Sequence, residues 1–101
     1  MNSMKYSQRV ILHAPPWDSA ALAAFVEHCV RDGVKLVCVI GPDCRRVEDV
    51  IDELVVGLGD GSGRLLMTTS HPGESIDEVR SFAEAYALGI DTSVPVQTVT
   101  L

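Results

Sequence analysis

VKLVCVIGPDCRRVEDVIDELVVGLG, residues 34–59, decides the architecture. Its first part, 34–41, is an apolar run interrupted only by Lys35 and stopped by Gly41-Pro42. A run this short, apolar on both faces and closed by turn residues, is the mark of a buried strand. Its second part sets Val47, Val50, Ile51, Leu54, Val55 and Leu58 on one helical stripe, with charged residues filling the other side. Asp43 stands where a cap opens that helix, and Gly59 where it ends. A buried strand leading straight into an amphipathic helix is one half of a βαβ unit.

The same pattern recurs on either side. Upstream, RVILHA (9–14) is a short apolar run ended by Pro15-Pro16, and the next helix carries Leu22, Phe25, Val26, Cys29 and Val30 on its stripe. Asp18 is placed to cap that helix and Gly33 to close it. Downstream, RLLMTTSH (64–71) is the third run. The third helix has Val79, Phe82, Ala83, Tyr86 and Ala87 on its stripe, a Ser75/Glu78 capping box at its start and Gly89 at its end. VPVQTVTL (94–101) is β-branched and partly alternating, which suits a more exposed strand.

The order β-α-β-α-β-α-β over residues 1–101 reads as a single α/β domain, a three-layer α/β/α sandwich around a four-stranded, mainly parallel sheet. Two strand orders satisfy it. The flavodoxin-like order 2-1-3-4 is the expectation, and the Rossmann-like order 3-2-1-4 is the alternative. Both put two helices on one face and one on the other. A sheet roughly 19 Å wide is only half covered by one helix of about 10 Å, so a homodimer that covers the remainder is expected.

Composition narrows the function classes. Of 101 residues, 47% are hydrophobic and 22% charged, the balance of a globular chain with an aliphatic core. The net charge of −6 disfavours nucleic acid and suits a basic protein partner or a cation better. Cys29, Cys38 and Cys44 are odd in number and form no C-x-x-C pair, which points to a reducing, cytoplasmic setting. MNSMKYSQR has no apolar core of a signal peptide, and no run is long enough to span a membrane.

In open parallel sheets ligands bind beyond the carboxyl ends of the strands, where the strand order reverses. In the order 2-1-3-4 that point brings together the loops HAPPWDS (13–19) and TSHPGES (69–75), with GPDCRR (41–46) on the far side of strand one. The candidate ligand-binding residues are therefore His13, Trp17, Asp18, Asp43, Cys44, Ser70 and His71. Trp17 also stands at N′, one residue before the Asp18 cap, with Leu22 at N4, the spacing of a hydrophobic staple.

Several chemistries lack their motif. GLGDGSG (57–63) follows a helix and precedes a strand, the reverse of a phosphate loop. No G-x-G-x-x-G follows the first strand and no G-x-S-x-G elbow is present, so neither a dinucleotide cofactor nor a serine-hydrolase elbow is expected. A receiver domain needs carboxylates where His13 and Thr69-Ser70-His71 stand. Adjacent Ser70 and His71 are poorly placed to address each other from a strand end. The expectation is a small non-enzymatic binding or accessory module without a cofactor, taking a basic protein or a small ligand. The alternative is a small hydrolase or metal-dependent enzyme using His13, Cys44 and His71, imidazole and thiolate being good zinc ligands.

Overall fold

A computed structural model describes residues 6–13, 18–57, 66–86 and 95–100. Four strands, β1 (Arg9–His13), β2 (Leu36–Ile40), β3 (Met67–Ser70) and β4 (Gln97–Thr100), alternate with three helices, α1 (Ser19–Asp32), α2 (Cys44–Gly57) and α3 (Ile76–Ala85). All three strand pairings are parallel. The helices lie on both faces, so the α/β sandwich read from the sequence is the fold.

The strand order is β3-β2-β1-β4, the Rossmann-like alternative 3-2-1-4 and not the preferred 2-1-3-4. The reason lies in what each strand can bury. β2 is buried at every position, so it needs neighbours and helices on both sides. The order 2-1-3-4 would leave it at the border. β3 is MTTS, with Met67 exposed and three half-buried hydroxyl residues after it, a composition for an edge. Leu65 and Leu66, the leucines that made the third run look like a core strand, both precede β3 in the sequence. β1 keeps its interior place, between β2 and β4.

Two cores result. On one face Val10, Leu12, Val37 and Val39 pack with Leu22, Phe25, Val26 and Cys29 of α1 and Val47 and Ile51 of α2. On the other, Ile11, Leu36, Cys38, Ile40 and Val96 pack beneath Val79 and Ala83 of α3. α2 and α3 therefore stand on opposite faces. Their acidic residues, expected to share one side, are divided between the two: Glu48, Asp49, Asp52 and Glu53 against Asp77, Glu78 and Glu84.

Local signals set the helix ends. The Asp18 carboxylate accepts from the Ala21 amide at 2.9 Å, and Gly33, at φ 80°, closes α1 in the left-handed region. Ser75 and Glu78 form both bonds of their capping box. α3 stops at Ala85, short of Gly89. The buried Arg9 guanidinium donates to the carbonyls of Ala83 and Glu84, both at 3.0 Å, and Tyr86 is already extended. A cation on the last carbonyls satisfies them and matches the negative end of the helix dipole.

Candidate functional site

Because every pairing is parallel, the loops after β1, β2 and β3 leave the same rim, in that spatial order. The loop after β2, expected on the far side of β1 from the His71 turn, is instead that turn's neighbour. It is the end of β1, at His13, that lies farther away. His13 is paired with Ile40, and Val39 with Ser70, so Ile40 stands between the two histidine positions. Two ladder steps separate their backbones, about 10 Å. The reversal of strand order falls between β1 and β4, on the side of His13.

The seven candidate residues divide accordingly. His13 is half-buried, and alternation along β1 puts it on the α3 face with Ile11. Trp17, and with it the staple to Leu22, lies outside the described residues. Asp18 is exposed and spends one oxygen on its cap. Asp43 is exposed at the start of α2, where its carbonyl accepts from the Val47 amide at 2.9 Å. Cys44 is buried in the α1/α2 core. Ser70 shares the face of Val39, its pairing partner, and His71 the opposite one. His13, Cys44 and His71 thus do not gather around one point. Among the described residues no group of three or more His, Cys, Asp or Glu side chains is arranged to hold a metal ion.

The structure brings together two other sets. The first is a cleft of about 490 Å³ lined by Pro42, Asp43, Cys44, Arg45, Arg46 and Pro72. It joins the loop after β2 to the turn after β3. Its wall is the opening turn of α2, whose first turn carries no acidic side chain. Two arginines against one aspartate make the lining locally positive in a chain of net charge −6.

The second set is a chain of hydrogen bonds on the α3 side. Thr69 Oγ1 lies 2.7 Å from His71 Nε2, and His71 Nδ1 lies 3.2 Å from Glu74 Oε2. The backbone explains each member. Thr69 and His71 are two residues apart on extended chain, so their side chains share a face. Pro72 and Gly73, at φ 75°, are the central residues of a type II turn closed by the Glu74 amide on the His71 carbonyl, 3.4 Å away. That turn folds the Glu74 carboxylate back onto the imidazole. Phe82 of α3 packs on the ring, centroids 4.9 Å apart, and His71 is 7% exposed.

Thr69 stands opposite Cys38 of β2 in the parallel ladder. Burial raises the pKa of that thiol, and the charge of Glu74 adds to the rise, while the Thr69 side chain lowers it. The candidate set included Ser70 and His71 but missed Thr69 and Glu74. Two signals could have found them: T-x-H at strand spacing, and H-P-G-E as a turn that returns a carboxylate to its own first residue.

Fold and rim define a four-stranded Rossmann-like α/β domain with a cleft at the carboxyl edge of its sheet. The chain belongs to the family described as Domain of unknown function (DUF7684), whose model matches residues 2–101. No curated protein and no solved structure matches it. Among the described residues no helix is long and apolar enough to cross a membrane.

Proposed function

We propose that this domain is a small α/β binding module whose ligand enters the cleft between the β2 and β3 turns and presents an anionic group to Arg45, Arg46 and the first amides of α2. The single supporting observation is the position of that cleft. It opens beyond the carboxyl ends of the strands at the start of α2, with Arg45 and Arg46 in its lining. A small anion answers this chemistry better than a basic protein. The acidic residues that would steer such a protein are split across two faces.

The test is a titration of the labelled protein with inorganic phosphate and with a panel of small carboxylates and phosphate esters, followed by amide NMR. Saturable shifts are expected at Arg45, Arg46 and Gly73. Arg45→Glu with Arg46→Glu should abolish them while the rest of the spectrum is kept. Saturable shifts centred elsewhere, or none across the panel, would remove the reading.

The same proposal takes the domain to be a homodimer, joined through the free edge of β4. β4 is β-branched, is paired among the described residues only to β1, and alternates between half-buried and exposed positions. An unprotected edge of this kind invites a second strand. Antiparallel pairing about a two-fold axis would extend the sheet and leave the β3 side open.

A further inference from the structure

We infer that Thr69, His71 and Glu74 form a nucleophile, base and orienting carboxylate for acyl transfer from small activated esters. This goes beyond the binding reading and does not depend on it. The chain of bonds lies on the α3 side of β3, whereas the cleft opens at the start of α2.

The geometry supplies each role. A nucleophile must lie within hydrogen-bond reach of its base, and the base must be oriented by a third group. Thr69 Oγ1 to His71 Nε2 is 2.7 Å, and His71 Nδ1 to Glu74 Oε2 is 3.2 Å. With Nδ1–H donating a hydrogen bond to the Glu74 carboxylate, the imidazole turns an unprotonated Nε2 toward the hydroxyl. An acyl transfer also needs a donor for the developing oxyanion. The amides of Met67 and His71 point to β2, bonded to the carbonyls of Lys35 and Val39. The parity of a parallel ladder then turns the Ser70 amide away from β2. The residue after the nucleophile thus offers its N–H on the outer side of the strand. Met67, 51% exposed and on the same face as Thr69, and Phe82, 40% exposed beside His71, give the acyl group an apolar seat.

The step balances without a co-reactant other than water. Thr69 Oγ1 attacks the carbonyl carbon while its proton passes to His71 Nε2. The tetrahedral oxyanion faces the Ser70 amide. Collapse breaks the ester bond, and the leaving alkoxide takes the proton from Nε2. Water then attacks the threonyl ester with its proton passing to His71, and the free acid leaves with Thr69 restored. The substrate class is a small carboxylic ester with an apolar acyl group and a good leaving group.

The probe is p-nitrophenyl acetate on the full chain at neutral pH, with released p-nitrophenolate followed and the acetylated residue mapped by mass spectrometry. The expected result is a burst close to one equivalent and an acetyl group on Thr69. Thr69→Ser should keep the burst and Thr69→Val should lose it. Glu74→Gln should slow it about tenfold or more and His71→Gln at least ~100-fold. Urea unfolding of every variant shows whether the fold is kept. If His71→Gln unfolds, the Thr69→Ser/Thr69→Val pair and Glu74→Gln carry the decision. Acetylation confined to Lys5, Lys35 or the amino terminus overturns the assignment. So does no burst at all, or a Thr69→Val protein that reacts at the wild-type rate.

Discussion

At the scale of the residue, burial matters more here than charge. Cys29 is fully buried, and its thiol is pushed up to about 12, first by burial and then by the Asp32 carboxylate nearby. Tyr6, whose amide donates to Asp32 at 3.0 Å, and Cys38 are raised as well, each mainly by burial. A group whose folded pKa exceeds its unfolded one holds its proton in the native state and surrenders it on unfolding. Stability is therefore full below the ordinary thiol value of 9.0 and falls as pH climbs toward about 12. Urea midpoints should drop as pH rises from about 9 toward about 12. Cys29→Ala should start lower, having lost core packing, but show a shallower slope, since Cys38 and Tyr6 still contribute with the same sign. A midpoint flat over that range would contradict the buried thiols.

Elements were legible in the sequence to the extent that local chemistry defines them. The Asp18 cap, the Gly33 closure and the Ser75/Glu78 box each use side chains within a few residues of the backbone they satisfy, so reading the string finds them. Strand order is not local. It depends on which strand needs burial on both faces, and β3 was misjudged because its apolar residues mostly precede it. Arg9 was equally hidden, a charge at the head of an apolar run whose role depends on a helix more than 70 residues away. Of the site, the rim was legible and its occupants only partly: His71 was found, its partners Thr69 and Glu74 were not. Arg9 carries a prediction at this scale. Arg9→Met keeps the aliphatic stem and removes both bonds to the last carbonyls of α3. It should cost about 1.5–3 kcal/mol and release the amides of that last turn to hydrogen exchange first. Unchanged exchange there would mean that the guanidinium does not close the helix.

For the molecule as a whole, α1 and α2 cover one face and α3 covers the middle of the other. The flanks of the α3 face carry Thr69 and the exposed Met67 on β3 and Thr98 and Thr100 on β4. The proposed self-association runs through the β4 edge. Light scattering at micromolar concentration should give twice the 10.9 kDa of the chain. Thr98→Lys with Thr100→Lys, which sets like charges against each other across an antiparallel pair, should return the monomer. A wild-type protein with the mass of a single chain would exclude this dimer.

The place of β1 between β2 and β4 also bears on how the chain folds. β2 reaches β1 across one helix, whereas the Ser7 amide meets the Gln97 side chain across 90 residues. Closing so long a loop carries a large entropic cost before any contact repays it. The nucleus should therefore form around β1, α1 and β2, with β4 docking after the barrier. Mutations in β4 would then hasten unfolding while leaving the refolding rate almost untouched.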